Sequence, residues 1–174
     1  MHRFCLVTHS SVIQSGRHAL GLGLETLLAL LCHQYTSDMF ERIDGLRTIE
    51  FGTPGASREK LVNLILHGNK RATAGLLISD YEAEGEPIEH VGELLAIVDN
   101  DGKHVGTMQV TRTEILRFAD VPDEFALAEA EGDMSAADFR ASHLAYWTRV
   151  GETVNDDTLI VTVYFDLIPE ITRS

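Results

Sequence analysis

The chain has 174 residues, of which 44% are hydrophobic and 24% are charged. This size and composition are typical of one globular domain and exclude a disordered or fibrous protein. The formal net charge of −13 disfavours non-specific binding to long nucleic acids, which depends on clustered lysines and arginines. No run of about 18 uninterrupted apolar residues occurs, so no transmembrane helix is predicted.

Residues 1–38 differ in composition from the rest of the chain. They contain both cysteines, Cys5 and Cys32, and half of the histidines. We expect a peripheral N-terminal extension, either a docked helix or a poorly ordered segment, and a translation start at Met39 is an alternative. The late apolar run, without a clear cleavage site, argues against a signal peptide. The domain is then expected over residues 39–174, in a reduced, cytoplasmic setting because it lacks cysteine.

Residues 46–68 predict a strand followed by a helix. The segment 46–51 favours a short strand, and residues 57–67 carry apolar side chains at helical spacing. Thr53 and Pro54 suit the start of this helix, and Gly68 stands where a C-cap glycine is expected. The next segment, 72–79, is a short apolar strand.

The junction between that helix and strand, residues 68–75, brings Lys70, Arg71 and Thr73 together in the sequence. A turn of this kind can present a lysine and a hydroxyl group to one cleft. Helix capping and strand packing also explain these residue types. The junction is therefore a candidate site on chemistry alone, with an equally ordinary structural explanation.

The middle of the chain predicts a loop and a hairpin. Residues 81–90 are acidic and contain Gly85 and Pro87, which favours a brief helical turn followed by a surface loop. Two strands, 93–99 and 104–118, flank an Asn-Asp-Gly turn and predict an antiparallel hairpin with a bulge in its second strand.

The last third predicts two helices and a strand. Residues 120–131 favour a helix, residues 132–134 interrupt it, and Ser135 with Asp138 forms a capping-box pattern for the second helix. An aromatic stripe that includes His143 follows one face of that helix and is expected to pack in the core. Residues 158–167 alternate as a final strand. The sum favours an α+β domain with a curved, mostly antiparallel sheet, and a small barrel is one such arrangement.

Three segments in this order, 68–73, 81–87 and 129–135, resemble the ASCH domain family over residues 39–168. The resemblance implies a PUA-like β-barrel with flanking helices. It also implies a pocket for a nucleoside, a nucleotide or an RNA base in short single strands. Some ASCH proteins resemble amidohydrolases that remove an acyl group from the exocyclic nitrogen of a modified cytidine, and others resemble ribonucleases. Fold alone does not choose between these activities and a non-catalytic RNA-binding module.

The amidohydrolase resemblance implies a catalytic set at Lys70, Thr73 and Glu131. Glu129 and Asp133 lie close enough in the sequence for a shift of alignment to exchange either with Glu131. Arg71, Tyr81 and Asp133 are the expected substrate-binding residues, with Tyr81 stacking on a base. No cofactor or metal site is predicted, because no histidine, cysteine or carboxylate group has convincing ligand spacing.

Two assignments of catalytic roles are possible for Lys70, Thr73 and Glu131. In the first, Lys70 accepts the proton of the Thr73 hydroxyl, which requires a neutral amine that Arg71 favours and Glu131 opposes. In the second, Glu131 is the base and Lys70 stabilises a developing oxyanion. In a ribonuclease, Lys70 or Arg71 holds the phosphate, and Glu131 or His143 transfers a proton.

Overall fold

The structure is a computed structural model that describes residues 41–169. The expectations for residues 1–38 therefore lie outside the described residues. In chain order the elements are β1 (Arg42–Ile43), β2 (Leu46–Ile49), α1 (Ala56–Leu66), β3 (Ala72–Leu76), a π-helical segment (Leu77–Glu82), β4 (Leu94–Val98), β5 (His104–Arg117), a 3₁₀ turn (Phe118–Asp120), α2 (Asp123–Glu129), α3 (Ala136–Arg149) and β6 (Leu159–Ile168).

The described strands form one six-stranded sheet in the order β1-β2-β4-β5-β6-β3. All neighbouring pairs are antiparallel except β2 with β4, so the mixed α+β class and the mostly antiparallel sheet are confirmed. Within residues 41–169, β1 and β3 are edge strands of an open sheet. Closure into a barrel is therefore not confirmed.

The hairpin of β4 and β5 has the position that the sequence predicts. Its turn spans residues 99–103, and a register shift between Val110 and Arg112 interrupts the pairing of β5 with β6. The shift accounts for the imperfect alternation of β5, because a bulge moves the following side chains to the opposite face. The hairpin is a local feature, which is why its sequence pattern is sufficient to predict it.

The acidic segment 81–90 is a helical turn followed by a mostly exposed loop, as predicted, but two of its glutamates are exceptions. Glu86 and Glu89 are buried, since each meets a specific partner. The Arg47 guanidinium donates to Glu86 Oε1 at 3.1 Å, and the Tyr81 hydroxyl donates to Glu89 Oε2 at 2.9 Å. Buried carboxylates require such partners, and neither partner is near enough in the sequence to be predicted from local composition.

Two apolar clusters pack on the sheet. The first joins α1 to the central strands and includes Ile49, Phe51, Leu61, Ile65, Leu95, Met108, Val163 and Phe165. The second joins α2 and α3 to β3 and includes Ala72, Ala74, Phe118, Phe125, Phe139, Trp147 and Ile160. The apolar residues of β3, which are Ala72, Ala74 and Leu76, all belong to the second cluster, because alternate side chains of a strand point to the same face. Among the described residues, no helix is both long and apolar enough to cross a membrane.

Candidate active site

The backbone around Lys70 is fixed by two helices. Gly68 has φ 75°, the left-handed conformation that ends α1 as predicted, and the amides of Asn69 and Lys70 both donate to the Leu64 carbonyl. The next amide, that of Arg71, donates to the Ala128 carbonyl of α2 at 2.7 Å. The Lys70 backbone is therefore held between the end of α1 and the last turn of α2.

The side chain of Lys70 is completely buried and faces two carboxyl groups. Its Nζ lies 2.6 Å from Glu131 Oε1 and 3.7 Å from Glu129 Oε1. The exposed fractions of the Lys70, Glu129 and Glu131 side chains are 0%, 1% and 24%. The short contact to Glu131 is a charge-assisted hydrogen bond, whereas the distance to Glu129 is too long for a hydrogen bond.

A left-handed residue directs both acids to the same lysine. Ala130, between Glu129 and Glu131, has φ 52° and ψ 29° at the C-cap of α2. This conformation turns the chain sharply after the helix, so that the side chains on either side of Ala130 both approach Lys70. An alanine in this region costs about 1 kcal/mol relative to glycine, so the convergence is obtained against a local strain.

The pKa values of the two acids are shifted in opposite directions. Burial raises the pKa of Glu129 to about 8; attraction to Lys70 opposes this rise, and repulsion from Glu131 and Asp133 adds to it. Burial also acts to raise the pKa of Glu131, but the charge and hydrogen bond of Lys70 outweigh it, and the net direction is downward. Paired groups whose pKa values are driven apart are typical of acid–base sites.

His143 on α3 adjoins the second acid. Its Nε2 lies 3.4 Å from Glu129 Oε2, and its Nδ1 lies 3.1 Å from the Phe139 carbonyl oxygen. The ring stacks on Phe139 at 3.9 Å between centroids and meets Trp147 edge-on at 5.2 Å. Burial lowers the pKa of His143 to about 4, so the imidazole is neutral at pH 7.

A cavity of about 110 Å³ opens beside these groups. It contains both Glu131 and His143, and its remaining lining residues are Gly52, Ser57, Leu61, Ala74, Ser142, Tyr146 and Trp147. The lining is mostly apolar with a few polar groups, which is the usual character of a small-molecule site. The carboxylate of Glu131 is thus the ionised member of the cluster that borders the cavity.

Thr73 and Tyr81 line a different cavity. Thr73 pairs with Val163 in the register of β3 and β6, on the face of the first apolar cluster. A cavity of about 20 Å³ there is bordered by Thr73, Gly75, Asp80 and Tyr81, among others, and Ala74 borders both cavities. Tyr81 is 5% exposed, so its ring packs in the core and does not present a stacking surface.

The other two expected substrate-binding residues lie at the periphery. The Arg71 guanidinium is exposed and lies 3.6 Å from Asp166 Oδ1 on β6, away from the Glu131 carboxylate. Asp133 accepts a hydrogen bond of 2.7 Å from the Ser142 hydroxyl, next to a residue that lines the larger cavity. The structure therefore brings Lys70 and Glu131 into contact, sets Asp133 nearby, and assigns Thr73, Tyr81 and Arg71 to other surroundings.

The sequence did not predict Glu129 and His143 as principal residues of the site. Glu129 was expected only as a substitute for Glu131, and His143 as a packed residue of an aromatic stripe. Both acids approach Lys70, because the left-handed Ala130 lies between them, and alanine carries no local preference for that conformation. The spacing of Glu129 and His143 contains no pattern that predicts their contact. Within residues 41–169, no group of three or more histidines, cysteines and carboxylates is arranged to hold a metal ion.

The comparisons with known proteins decide the family. The sequence profile described as the ASCH domain matches residues 47–169. The chain belongs to the ASCH domain family. The match includes the junction of Lys70, both acids and His143, so all of the candidate site lies within the ASCH domain.

Two solved structures have the same fold. An ASCH domain from Lactobacillus crispatus JV V101 superposes with a TM-score of 0.60 at 27% identity, covering 83% of this chain and 96% of that one. The protein EF3133 from Enterococcus faecalis V583 superposes with a TM-score of 0.62 at 19% identity, covering 84% and 88% of the two chains. A comparison with curated proteins found no match.

Proposed function

We propose that this ASCH domain is a small amidohydrolase whose cavity binds a nucleoside or a free base and whose Glu131 carboxylate activates the nucleophile. The reaction is removal of an acyl group from the exocyclic nitrogen of a modified cytidine, as the family resemblance implies. One observation carries the proposal: a carboxylate kept ionised by a fully buried lysine borders a ring-sized cavity. That combination is suited to general base catalysis.

The size of the cavity favours a single ring. A volume of about 110 Å³ is less than the ~150 Å³ of an engineered apolar cavity that binds benzene, so the cavity has room for no more than one ring, and the rest of a nucleoside would lie outside it. Trp147 and Tyr146 provide aromatic surface for a base, and Ser57 and Glu131 provide polar groups that fix its orientation. A polynucleotide would have to present one base to this cavity with its backbone outside.

The charge around the cavity favours a neutral substrate. Glu131 and Asp133 are carboxylates, and the ammonium of Lys70 is buried behind Glu131. Lys60 is a cation near Glu131, since its Nζ lies 3.5 Å from the Glu131 carbonyl oxygen. A nucleoside or base is therefore preferred to a nucleotide, and an RNA-cleaving site, which needs cations on the phosphate, is disfavoured.

The chemical step follows from the order Lys70, Glu131, cavity. With water as the nucleophile, Glu131 takes a proton from the attacking water molecule, whose oxygen bonds to the acyl carbon. The carbon–nitrogen bond then breaks, and the departing exocyclic nitrogen receives the proton back from Glu131. The products are the free carboxylic acid and cytidine. With the Thr73 hydroxyl as the nucleophile, the acyl group would first form an ester with Thr73, which water then hydrolyses. Lys70 lies behind Glu131 and keeps it ionised.

The nucleophile is a water molecule or the hydroxyl of Thr73. The geometry favours water, because Ala74 and not Thr73 borders the cavity that contains Glu131. Thr73→Val separates the two routes: it removes the hydroxyl with little change of shape. A rate close to wild type supports water, and loss of the rate with the fold intact supports a threonine nucleophile.

The test is the release of cytidine from N4-acetylcytidine by the full chain, followed by chromatography. Glu131→Gln should lower kcat by about 100-fold or more, the usual size of a general-base effect. The matched control is Glu124→Gln, an exposed glutamate of α2, which should retain the wild-type rate. N4-acetylcytidine and its 5′-phosphate are compared in parallel to test the preference for a neutral substrate.

Three other outcomes would change the proposed function or the role of Glu131. Cleavage of single-stranded RNA that is lost in Glu131→Gln would replace the amidohydrolase by a ribonuclease. Cytidine binding that persists without turnover of either substrate, and that weakens in Glu131→Gln, would indicate a binding module. Full acetylcytidine turnover in Glu131→Gln would contradict the role given to Glu131.

A further inference from the structure

We propose that Glu129 is a positioning residue that acts as a neutral acid, its O–H directed at His143 Nε2, so that the Lys70 charge serves Glu131 alone. Its effect on the reaction rate rests on the proposed function, whereas its protonation state does not. The proposal is carried by the contacts of four side chains and by the burial of one of them.

The tautomer of His143 is set by the backbone. Its Nδ1 lies 3.1 Å from the Phe139 carbonyl oxygen and 3.3 Å from the Ser142 hydroxyl oxygen. The carbonyl only accepts, and the Ser142 hydrogen is donated to Asp133 at 2.7 Å, so Nδ1 bears the hydrogen. In a neutral ring Nε2 is then an acceptor, and it faces Glu129 Oε2 at 3.4 Å. A hydrogen bond between these two atoms therefore requires a hydrogen on the carboxyl group of Glu129.

The hydrogen-bond partners of Glu129 also indicate that its carboxyl group is protonated. Among the described residues neither of its oxygens, taken as an acceptor, has a hydrogen-bond partner, although the side chain is 1% exposed. A buried carboxylate without a donor is strongly unfavourable. As an acid, Glu129 becomes a donor with an acceptor already in front of it, through a long hydrogen bond to His143.

Charge balance selects which of the two acids holds the proton. One ammonium, that of Lys70, faces two carboxyl groups at 2.6 and 3.7 Å. The carboxyl that is farther from the ammonium and more deeply buried is the less costly one to neutralise. That carboxyl is Glu129. The raised pKa of Glu129 and the lowered pKa of His143 agree with this distribution.

A neutral Glu129 leaves the Lys70 ammonium to the neighbouring base, Glu131. If Glu129 ionised, it would compete with Glu131 for the Lys70 ammonium and would repel Glu131 across the same lysine. The charged and titratable groups that face Glu129 are Lys70 before β3, Glu131 and Asp133 after α2, and His143 on α3. Activity should therefore fall as pH rises through the value at which Glu129 loses its proton.

The protonation state is tested by infrared spectroscopy of the full chain, using the carbonyl stretch of a protonated carboxyl group. At pH 7 this band should be present in wild type and in the exposed control Glu124→Gln, and absent in Glu129→Gln. Absence of the band in wild type at pH 7, or its persistence in Glu129→Gln, would overturn the proposal. If Glu129→Gln does not fold, ¹⁵N NMR of wild-type His143 decides: a neutral ring protonated at Nδ1 is expected, and an imidazolium at pH 7 would overturn the proposal.

The effect on catalysis is tested by the pH dependence of kcat with N4-acetylcytidine. Wild type should lose activity above about pH 8, the pKa of Glu129, and Glu129→Gln, whose amide remains neutral, should keep most of the wild-type kcat without that alkaline decline. An unchanged alkaline decline in Glu129→Gln would contradict the positioning role. If no variant turns over any acylated nucleoside, the proposed function fails while the spectroscopic result still decides the state of Glu129.

Discussion

In the described part of the chain, two buried cations each face two carboxyl groups. The first of them, Arg47, has enough donors in the right geometry for both groups. The Arg47 guanidinium contacts Glu86 at 3.1 Å and Glu93 at 2.9 Å and donates to the Pro87 carbonyl at 2.7 Å. A guanidinium has five donors in a planar fork, so it can serve several acceptors at once. The cluster ties β2 to the acidic segment and to β4.

The second cation is a point charge. Lys70 makes one short contact, to Glu131, and leaves Glu129 at 3.7 Å. Glu129 is consequently neutralised by protonation, because no further donor is available to it among the described residues. The ionised carboxyl group, that of Glu131, borders a cavity. The comparison teaches that a buried ion pair does not by itself mark a site. What marks the site is the pairing of an acid and a base around one lysine.

The largest expected effect separates the two clusters by function. Lys70→Met and Arg47→Met should each lower the free energy of unfolding by about 3 kcal/mol or more, because each leaves buried carboxyl groups without their cation. Only Lys70→Met should also remove turnover of N4-acetylcytidine by the folded fraction. The measurements are urea denaturation and kcat per folded molecule.

Arg71→Met is the matched control for the lysine, since Arg71 is adjacent and exposed. Its free energy of unfolding should change by less than about 0.5 kcal/mol, as for ordinary surface substitutions. Loss of turnover in folded Arg47→Met at the level of Lys70→Met would remove the distinction between the two clusters.

The next largest expected effect is a pH dependence of the free energy of unfolding. The folded pKa of Glu129 is raised to about 8, so the stability due to its neutral form is complete below its unfolded pKa of ~4.3 and is lost as pH rises through about 8. The pKa of His143 is lowered to about 4, so its contribution is present above ~6.5 and is lost as pH falls through about 4. Glu129 therefore dominates this pair from pH 6.5 to 8.

In that window the free energy of unfolding should decrease with rising pH by up to ~1.4 kcal/mol per pH unit. Glu129→Gln should abolish most of this slope, and Glu124→Gln should leave it unchanged. Denaturation curves at several pH values measure it. If the pH dependence of the free energy of unfolding persists in Glu129→Gln, the protonated acid beside Lys70 is a group other than Glu129.

The smallest effect concerns the turn that brings the two acids together. Ala130→Gly should raise the free energy of unfolding by up to about 1 kcal/mol, because glycine adopts the left-handed conformation without strain. Turnover should persist, since the backbone keeps its path. The control is Ala128→Gly within α2, which should lower stability by about 1 kcal/mol. A destabilised Ala130→Gly would show that the alanine side chain contributes more than its strain costs.

Local features of the fold were predictable from the sequence. Gly68 ends α1 in the left-handed conformation, and Ser135 accepts a hydrogen bond from the Asp138 amide at the start of α3. The hairpin of β4 and β5 was equally clear. Each of these depends on residues close together in the chain, for which capping and turn preferences are sufficient.

Features that depend on distant partners were not predictable from local pattern. The burial of Glu86 requires Arg47, 39 residues away, and the Lys70–Glu131 contact joins residues 61 apart. Only the family resemblance pointed to the second contact. The π-helical segment and the contact of Glu129 with His143 had no sequence pattern that would predict them, because tertiary packing determines both.

The most direct test of the central claim is a ¹³C NMR titration of the glutamate carboxyl groups, with Glu129→Gln and Glu131→Gln used to assign the two resonances. The account predicts that the Glu129 resonance titrates near pH 8 and the Glu131 resonance below the ordinary range of glutamate, in the direction set by Lys70. Titration of both groups near the ordinary value of ~4.3, or the reverse assignment, would contradict the division of the site into an acid and a base.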